Sequence, residues 1–208
     1  MPITLYRGDS RPPDPLNPAD PPTAANSIRG AGGFQPWVIT PLATGREVIN
    51  RCIVPRGPVP ALPPPADQTS LQALLTTSNV SLIDVLRNIK AEKTRRTIHL
   101  STDTTIDSGG YPTGYVYQMQ FNLNVQALGQ GAVTPVNADT QLASATKANV
   151  FFDGATLATS TLFGISGGPV NPGVEAAFLT VIPMVYITHY CIPGKADAGS
   201  ATRPWIAF

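Results

Sequence analysis

Three stretches of this 208-residue chain hold residue types that can do chemistry. Arg7 and Arg11 bracket a turn-prone segment that contains Gly8. A guanidinium is a planar fork of donors that grips phosphate oxygens in a bidentate way, so two of them in one turn suggest an oxyanion site. Glu175 sits in the apolar run 174–181, VEAAFLTV. A strand there turns Glu175 away from Val174 and Ala176, to the side of Ala177 and Leu179, as the single charged group of that segment. Between them, Ser101 and Thr102 close the run TIHLST; taken alone they are ordinary strand residues.

Other reactive groups are sparse. The two cysteines, Cys52 and Cys191, and two histidines, His99 and His189, are too few for a structural zinc site of the usual spacing. Cys52 and Cys191 either close one long disulfide loop or stay as two buried thiols. His189 and Cys191 share one face of a strand, which fits packing better than a Cys–His nucleophile. The chain has no P-loop, no GxSxG and no HExxH. The GAGG at 30–33 follows no credible Rossmann strand, and Arg7-Gly8-Asp9 is too short a match to carry meaning. The formal charge of +1 excludes the strong basic field of a dedicated nucleic-acid binder. No apolar run approaches the length of a membrane span. The N-terminus lacks the basic, apolar, small-residue order of a secretory signal.

The elements that must hold these residues follow from proline content and periodicity. Fifteen of the 22 prolines lie in residues 1–65, so this third is read as extended segments and loops, with a polyproline-type loop at about 53–66. Residues 3–7 form a short strand. Residues 70–77 suit a short helix. Ser81 caps a second one, with Leu82, Ile83, Leu86 and Ile89 as its apolar stripe and basic residues from Lys90 to Arg96 at its C-terminal end. Beyond Arg96 the period becomes two: strands are expected at 97–102, over the alternating Tyr115 to Val125, at 149–152, 155–158, 174–181 and 184–192. Residues 103–114 and 160–173 read as loops, and 126–148 as loops with a short helix. The sum is one mixed α+β domain over residues 1–208.

Several of these segments, taken in order, resemble one known family. Tyr6-Arg7-Gly8-Asp9-Ser10-Arg11-Pro12-Pro13, Gly33-Phe34, Ser101-Thr102-Asp103, Gly114-Tyr115-Val116-Tyr117, and Glu175 seven residues before Ile182-Pro183 are similar to the motifs of the arginine–serine–glutamate mono-ADP-ribosyltransferase toxins, above all the pertussis-toxin and cholera/heat-labile-enterotoxin catalytic subunits. The likeness covers about residues 3–188 and leaves 50–80 and 126–160 without counterparts.

The resemblance implies an ADP-ribosyltransferase-like α+β fold, with two small packed, mostly antiparallel sheets around an NAD cleft and a few flanking helices. It implies NAD as substrate, without a metal. Arg7 would hold the pyrophosphate or adjacent ribose, with Gly8 and Arg11 beside it. Ser101 would orient Glu175, Thr102 would steady the strand that carries it, and Glu175 would bind the nicotinamide ribose and stabilise the positive charge that develops as the glycosidic bond breaks. Phe34 and Trp37 would either stack on nicotinamide or pack in the core. The partner would be a macromolecule of the target cell, a protein rather than a nucleic acid, and the parent protein a secreted or injected effector.

Two positions depart from the pattern. Gly173 stands where many members carry Glu or Gln two residues before the catalytic glutamate, which argues against an arginine acceptor. Asp103 replaces the last serine of Ser-Thr-Ser. The leading expectation is transfer of ADP-ribose to a non-arginine acceptor. The alternatives are an NAD glycohydrolase on the same scaffold and an inactive binding protein.

Overall fold

The computed structural model describes residues 3–36, 39–43, 45–46, 99–106, 114–127, 149–166, 175–192 and 198–208. Eleven strands run in chain order: β1 (Ile3–Asp9), β2 (Gly33–Phe34), β3 (Leu100–Asp103), β4 (Tyr115–Phe121), β5 (Leu123–Ala127), β6 (Asn149–Asp153), β7 (Phe163–Ser166), β8 (Glu175–Phe178), β9 (Ile182–Pro183), β10 (Ile187–Cys191) and β11 (Ile206–Ala207). Nine of them form one sheet in the order β11-β10-β4-β1-β3-β8-β7-β6-β5, and β2 and β9 form a ribbon of their own. Every pairing is antiparallel.

This corrects the expected fold class. The described residues are nearly all antiparallel sheet, not an α+β fold of two small sheets with flanking helices. Their only helical pieces are residues 42–43 and 45–46 and the 3-10 turn Met184–Tyr186. The physical reason is that β1 and β3 hydrogen-bond to each other, so the strands around Arg7 and those around Glu175 join into one sheet. The helices expected at 70–77 and 81–96, the polyproline loop, Trp37, Cys52 and Gly173 lie outside the described residues. Smaller readings also change: the strand expected at 184–192 opens with the 3-10 turn before β10, and the one expected over Tyr115 to Val125 breaks at Asn122 into β4 and β5. Residues 155–158 form bends and a turn rather than a strand, and the expected loop 160–173 contains β7.

The sheet cannot be flat. Only Asn122 separates β4 from β5, yet β5 is the far edge of the sheet while β4 lies on the other side of β1. Two residues span at most about 7 Å of chain, so the sheet must curl until its edge meets the end of β4. The core fills the inside of that curl: Ile3 and Leu5 of β1, Tyr117, Met119 and Phe121 of β4, Leu100 of β3, Phe151 of β6, and Ala176 and Phe178 of β8. These positions alternate along their strands, as a one-sided core demands. Phe121 stacks on Phe178 at 5.1 Å, and Phe151 meets Phe178 edge-on at 4.8 Å, so strands that are not neighbours in the sheet touch through their core side chains.

One junction in the sheet is thin. β1 pairs with β4 at seven positions from Ile3–Phe121 to Asp9–Tyr115, and β3 pairs with β8 at four. β1 and β3 pair at Tyr6–Asp103 alone.

Candidate active site

The candidate residues gather at that junction. Arg7 follows Tyr6 on β1. Just beyond the single backbone pair, its Nη1 donates to the Ser101 carbonyl at 2.8 Å. The guanidinium thus bridges β1 and β3 where the ladder stops. Arg7 shares the core-side face of β1 with Ile3 and Leu5, and its Cζ lies 5.4 Å from the centre of the Phe34 ring. Burial lowers the Arg7 pKa, Asp9 opposes this at 3.7 Å, and Arg11 adds to it; the group stays a cation. Its Nε is buried and makes no hydrogen bond.

Phe34 is held by glycine geometry. Gly33 has φ +128°, and a Cβ there would come within 2.1 Å of the Ile182 carbonyl oxygen. Only glycine lets β2 approach β9 this closely, with Gly33 opposite Pro183 and Phe34 opposite Ile182. Phe34 is fully buried and meets Tyr117 edge-on at 5.2 Å. Its observed role is therefore core packing beneath Arg7, not an exposed stacking surface for nicotinamide. Gly8 is a buried β1 residue opposite Val116 and brings no side chain to the site.

Arg11 is committed elsewhere. Its Nε and Nη2 clamp the two Asp9 oxygens at 2.9 Å each, its backbone N–H adds a third bond to Asp9, and Nη1 donates to the Ala24 carbonyl. Burial pushes the Asp9 carboxyl upward, but the Arg11 hydrogen bonds and the two guanidinium charges outweigh it and hold it below the ordinary range. The Arg11 guanidinium is raised in turn, first by its bonds to Asp9. Tyr117 donates its hydroxyl to the Arg11 carbonyl at 2.7 Å, and burial followed by the nearby Asp9 charge raises its pKa well above the ordinary phenol value. Arg11 is thus a brace for the turn after β1, and Arg7 is the guanidinium beside Ser101.

Glu175 opens β8 and is 5% exposed. Register sets its direction: Asp103 pairs with Glu175 and Ser101 with Ala177, so Ser101, Asp103 and Glu175 share the face away from the core. The Ser101 hydroxyl, exposed to solvent, donates to Glu175 Oε1 at 2.5 Å. Thr102 points the other way, and its buried hydroxyl donates to the Ala176 carbonyl at 2.7 Å, locking β3 to the residue after Glu175. Arginine, serine, threonine and glutamate, read from three separate stretches of sequence, therefore meet at one junction of the sheet, with Arg7 and Thr102 on its core side and Ser101 and Glu175 on the other.

Sequence reasoning missed the C-terminal contribution. The Trp205 ring stacks on Tyr6 at 6.1 Å, and Phe208 packs edge-on to Tyr117 and against the Arg29 guanidinium at 4.3 Å. β11 is only two residues long, too short for any periodic signal. Among the described residues no three His, Cys, Asp or Glu side chains cluster as metal ligands, and no helix is long and apolar enough to cross a membrane. No family model matches the chain, and no curated protein is significantly similar to it.

Proposed function

We propose that this protein cleaves the nicotinamide–ribose bond of NAD and transfers ADP-ribose to a macromolecular acceptor. The observation that carries this reading is the 2.5 Å hydrogen bond from Ser101 to Glu175, with Arg7 bonded to the same serine's carbonyl. It is an argument from the site, since one site chemistry can sit on unrelated folds.

Breaking the glycosidic bond leaves positive charge on the ribose as nicotinamide departs with the electron pair. A carboxylate fixed by a neighbouring hydroxyl meets that charge without having to reorganise. Arg7 lies on the opposite face of the sheet from Glu175, and its part in this reading is to anchor the Ser101 carbonyl and so the strand that carries the hydroxyl. The acceptor is a protein of the cell into which the chain is delivered, with an acceptor group other than arginine.

Gly173 favours a second reading. With no carboxylate two residues before Glu175, nothing at that position guides a guanidinium, and water becomes a competent acceptor. The enzyme is then an NAD glycohydrolase.

One experiment tests both. Purified protein is mixed with labelled NAD, with and without cell lysate, beside Glu175→Ala. One labelled protein band that depends on Glu175 supports transfer. Rapid nicotinamide release without lysate and without a labelled band supports hydrolysis. No release under either condition rejects both.

A further inference from the structure

Asp103 and Glu175 stand directly opposite each other on β3 and β8, and both are buried, at 4% and 5% exposure. Directly opposed strand residues have Cβ atoms about 5 Å apart on the same face. Two carboxylates in that relation are an unusual choice. Aspartate is depleted in strands, and like charges directly opposite one another weaken a strand pair. The strand pair is already fastened by Thr102 to the Ala176 carbonyl and by Ser101 to Glu175.

The two carboxyl groups sit at different places in the ladder. Glu175 is held from its Ser101 side by a hydroxyl, with Asp103 two residues further along β3. Asp103 lies in the same cross-strand row between Glu175 and Tyr6. Unequal environments let two neighbouring carboxylates divide the work of one reaction.

We propose that Asp103 is the second carboxylate of this site and takes the proton from the acceptor that attacks the ribose. The proposal rests on the ADP-ribosyl reading above. In the hydrolytic case the carbon–nitrogen bond breaks, and its electron pair leaves with nicotinamide. The water oxygen bonds to the same ribose carbon, and one water proton passes to the Asp103 carboxylate. Glu175 remains the group facing the developing positive charge. The acid absent at position 173 is thereby supplied from the neighbouring strand, and the acceptor is one that must lose a proton on attack: water, a hydroxyl or an amide.

The test follows NAD turnover by wild type, Asp103→Asn and Glu175→Gln, with NAD affinity measured separately and with azide as an added nucleophile. Azide adds to the ribose without a proton to remove. The expected result for Asp103→Asn is NAD affinity within about threefold of wild type and turnover lower by about a hundredfold. Azide then restores nicotinamide release and yields an azide adduct of ADP-ribose, while Glu175→Gln is not restored. If Asp103→Asn does not fold, Asp103→Ser takes its place in the same comparison. Turnover of the variant within threefold of wild type overturns the proposal, as does a loss that azide leaves unchanged. A wild-type protein that releases no nicotinamide, with or without lysate, overturns the ADP-ribosyl reading and this proposal together; an active wild type with an indifferent Asp103 overturns the proposal alone.

Discussion

Ser101 reaches Glu175 across a diagonal of the sheet, not from the position directly opposite. Its register partner is Ala177, and the 2.5 Å hydrogen bond runs two residues back along β8. The small side chain of Ala177 leaves the glutamate free to lean along the strand toward the hydroxyl. Ser101 is therefore placed to orient Glu175 while contributing little to the core. Ser101→Ala should cost about 1 kcal/mol of stability or less, because the serine is exposed. On the proposed ADP-ribosyl reading, turnover of NAD should fall about tenfold to a hundredfold. Thermal melts and nicotinamide release on one preparation separate the two effects.

Asp9 supports the site through charge. It is buried and accepts three hydrogen bonds from Arg11, with Arg7 at 3.7 Å. Asp9→Ala leaves two guanidinium groups without their counter-ion and should destabilise the fold by about 3 kcal/mol. The pH dependence has a definite sign. The folded-state pKa of Asp9 lies below its ordinary value, so its contribution is present above about pH 4 and is lost as pH falls through the folded pKa. Melting temperatures from pH 2 to 6 should drop more steeply for wild type than for Asp9→Asn.

Gly33→Ala tests the platform beneath Arg7. The positive φ and the close Ile182 carbonyl both oppose a side chain, so β2 must part from β9. The expected loss is on the order of 3 kcal/mol, measured by denaturant unfolding. A variant as stable as wild type would mean that the β2–β9 ribbon does not hold Phe34.

Asp153, at the end of β6, gathers four donors. Asp153 accepts from the backbone N–H groups of Thr161 and Leu162, from the Thr161 hydroxyl and from the Tyr186 hydroxyl. Burial first, then the bond to Asp153, pushes the Tyr186 pKa up to about 12. A raised phenol pKa contributes stability below its unfolded value near 10, lost as pH rises toward 12. Tyr186→Phe should therefore flatten the alkaline limb of the stability profile between about pH 10 and 12. Tyrosine absorbance titration gives the pKa directly.

Much of the site was legible in the sequence. The alternation from Tyr115 to Val125 marked extended chain there but not its break at Asn122 into two strands that lie apart in the sheet, while the apolar run around Glu175 gave β8 and the direction of its one acid. What escaped depends on distant partners. FGIS is short and contains glycine, so nothing local distinguishes β7 from a loop; it becomes a strand because β6 and β8 flank it. The sequence left Phe34 open between stacking on a ligand and packing in the core, and only its burial under Arg7 decides for the core. Asp103 read as a departure from a motif, and only strand register puts it beside Glu175. The continuity of the sheet was invisible for the same reason, because it turns on one pair between Tyr6 and Asp103.

That solitary pair has a consequence for the order of assembly. β5 to β8 are neighbours both in the chain and in the sheet, so they can form by closing comparatively short loops. β1 must find β3 across more than ninety residues, and its only backbone reward there is one pair. The junction that brings Arg7 to Ser101 should therefore be the last to zip. During refolding, secondary structure should recover early, and the NAD turnover proposed above should return only with the slowest phase.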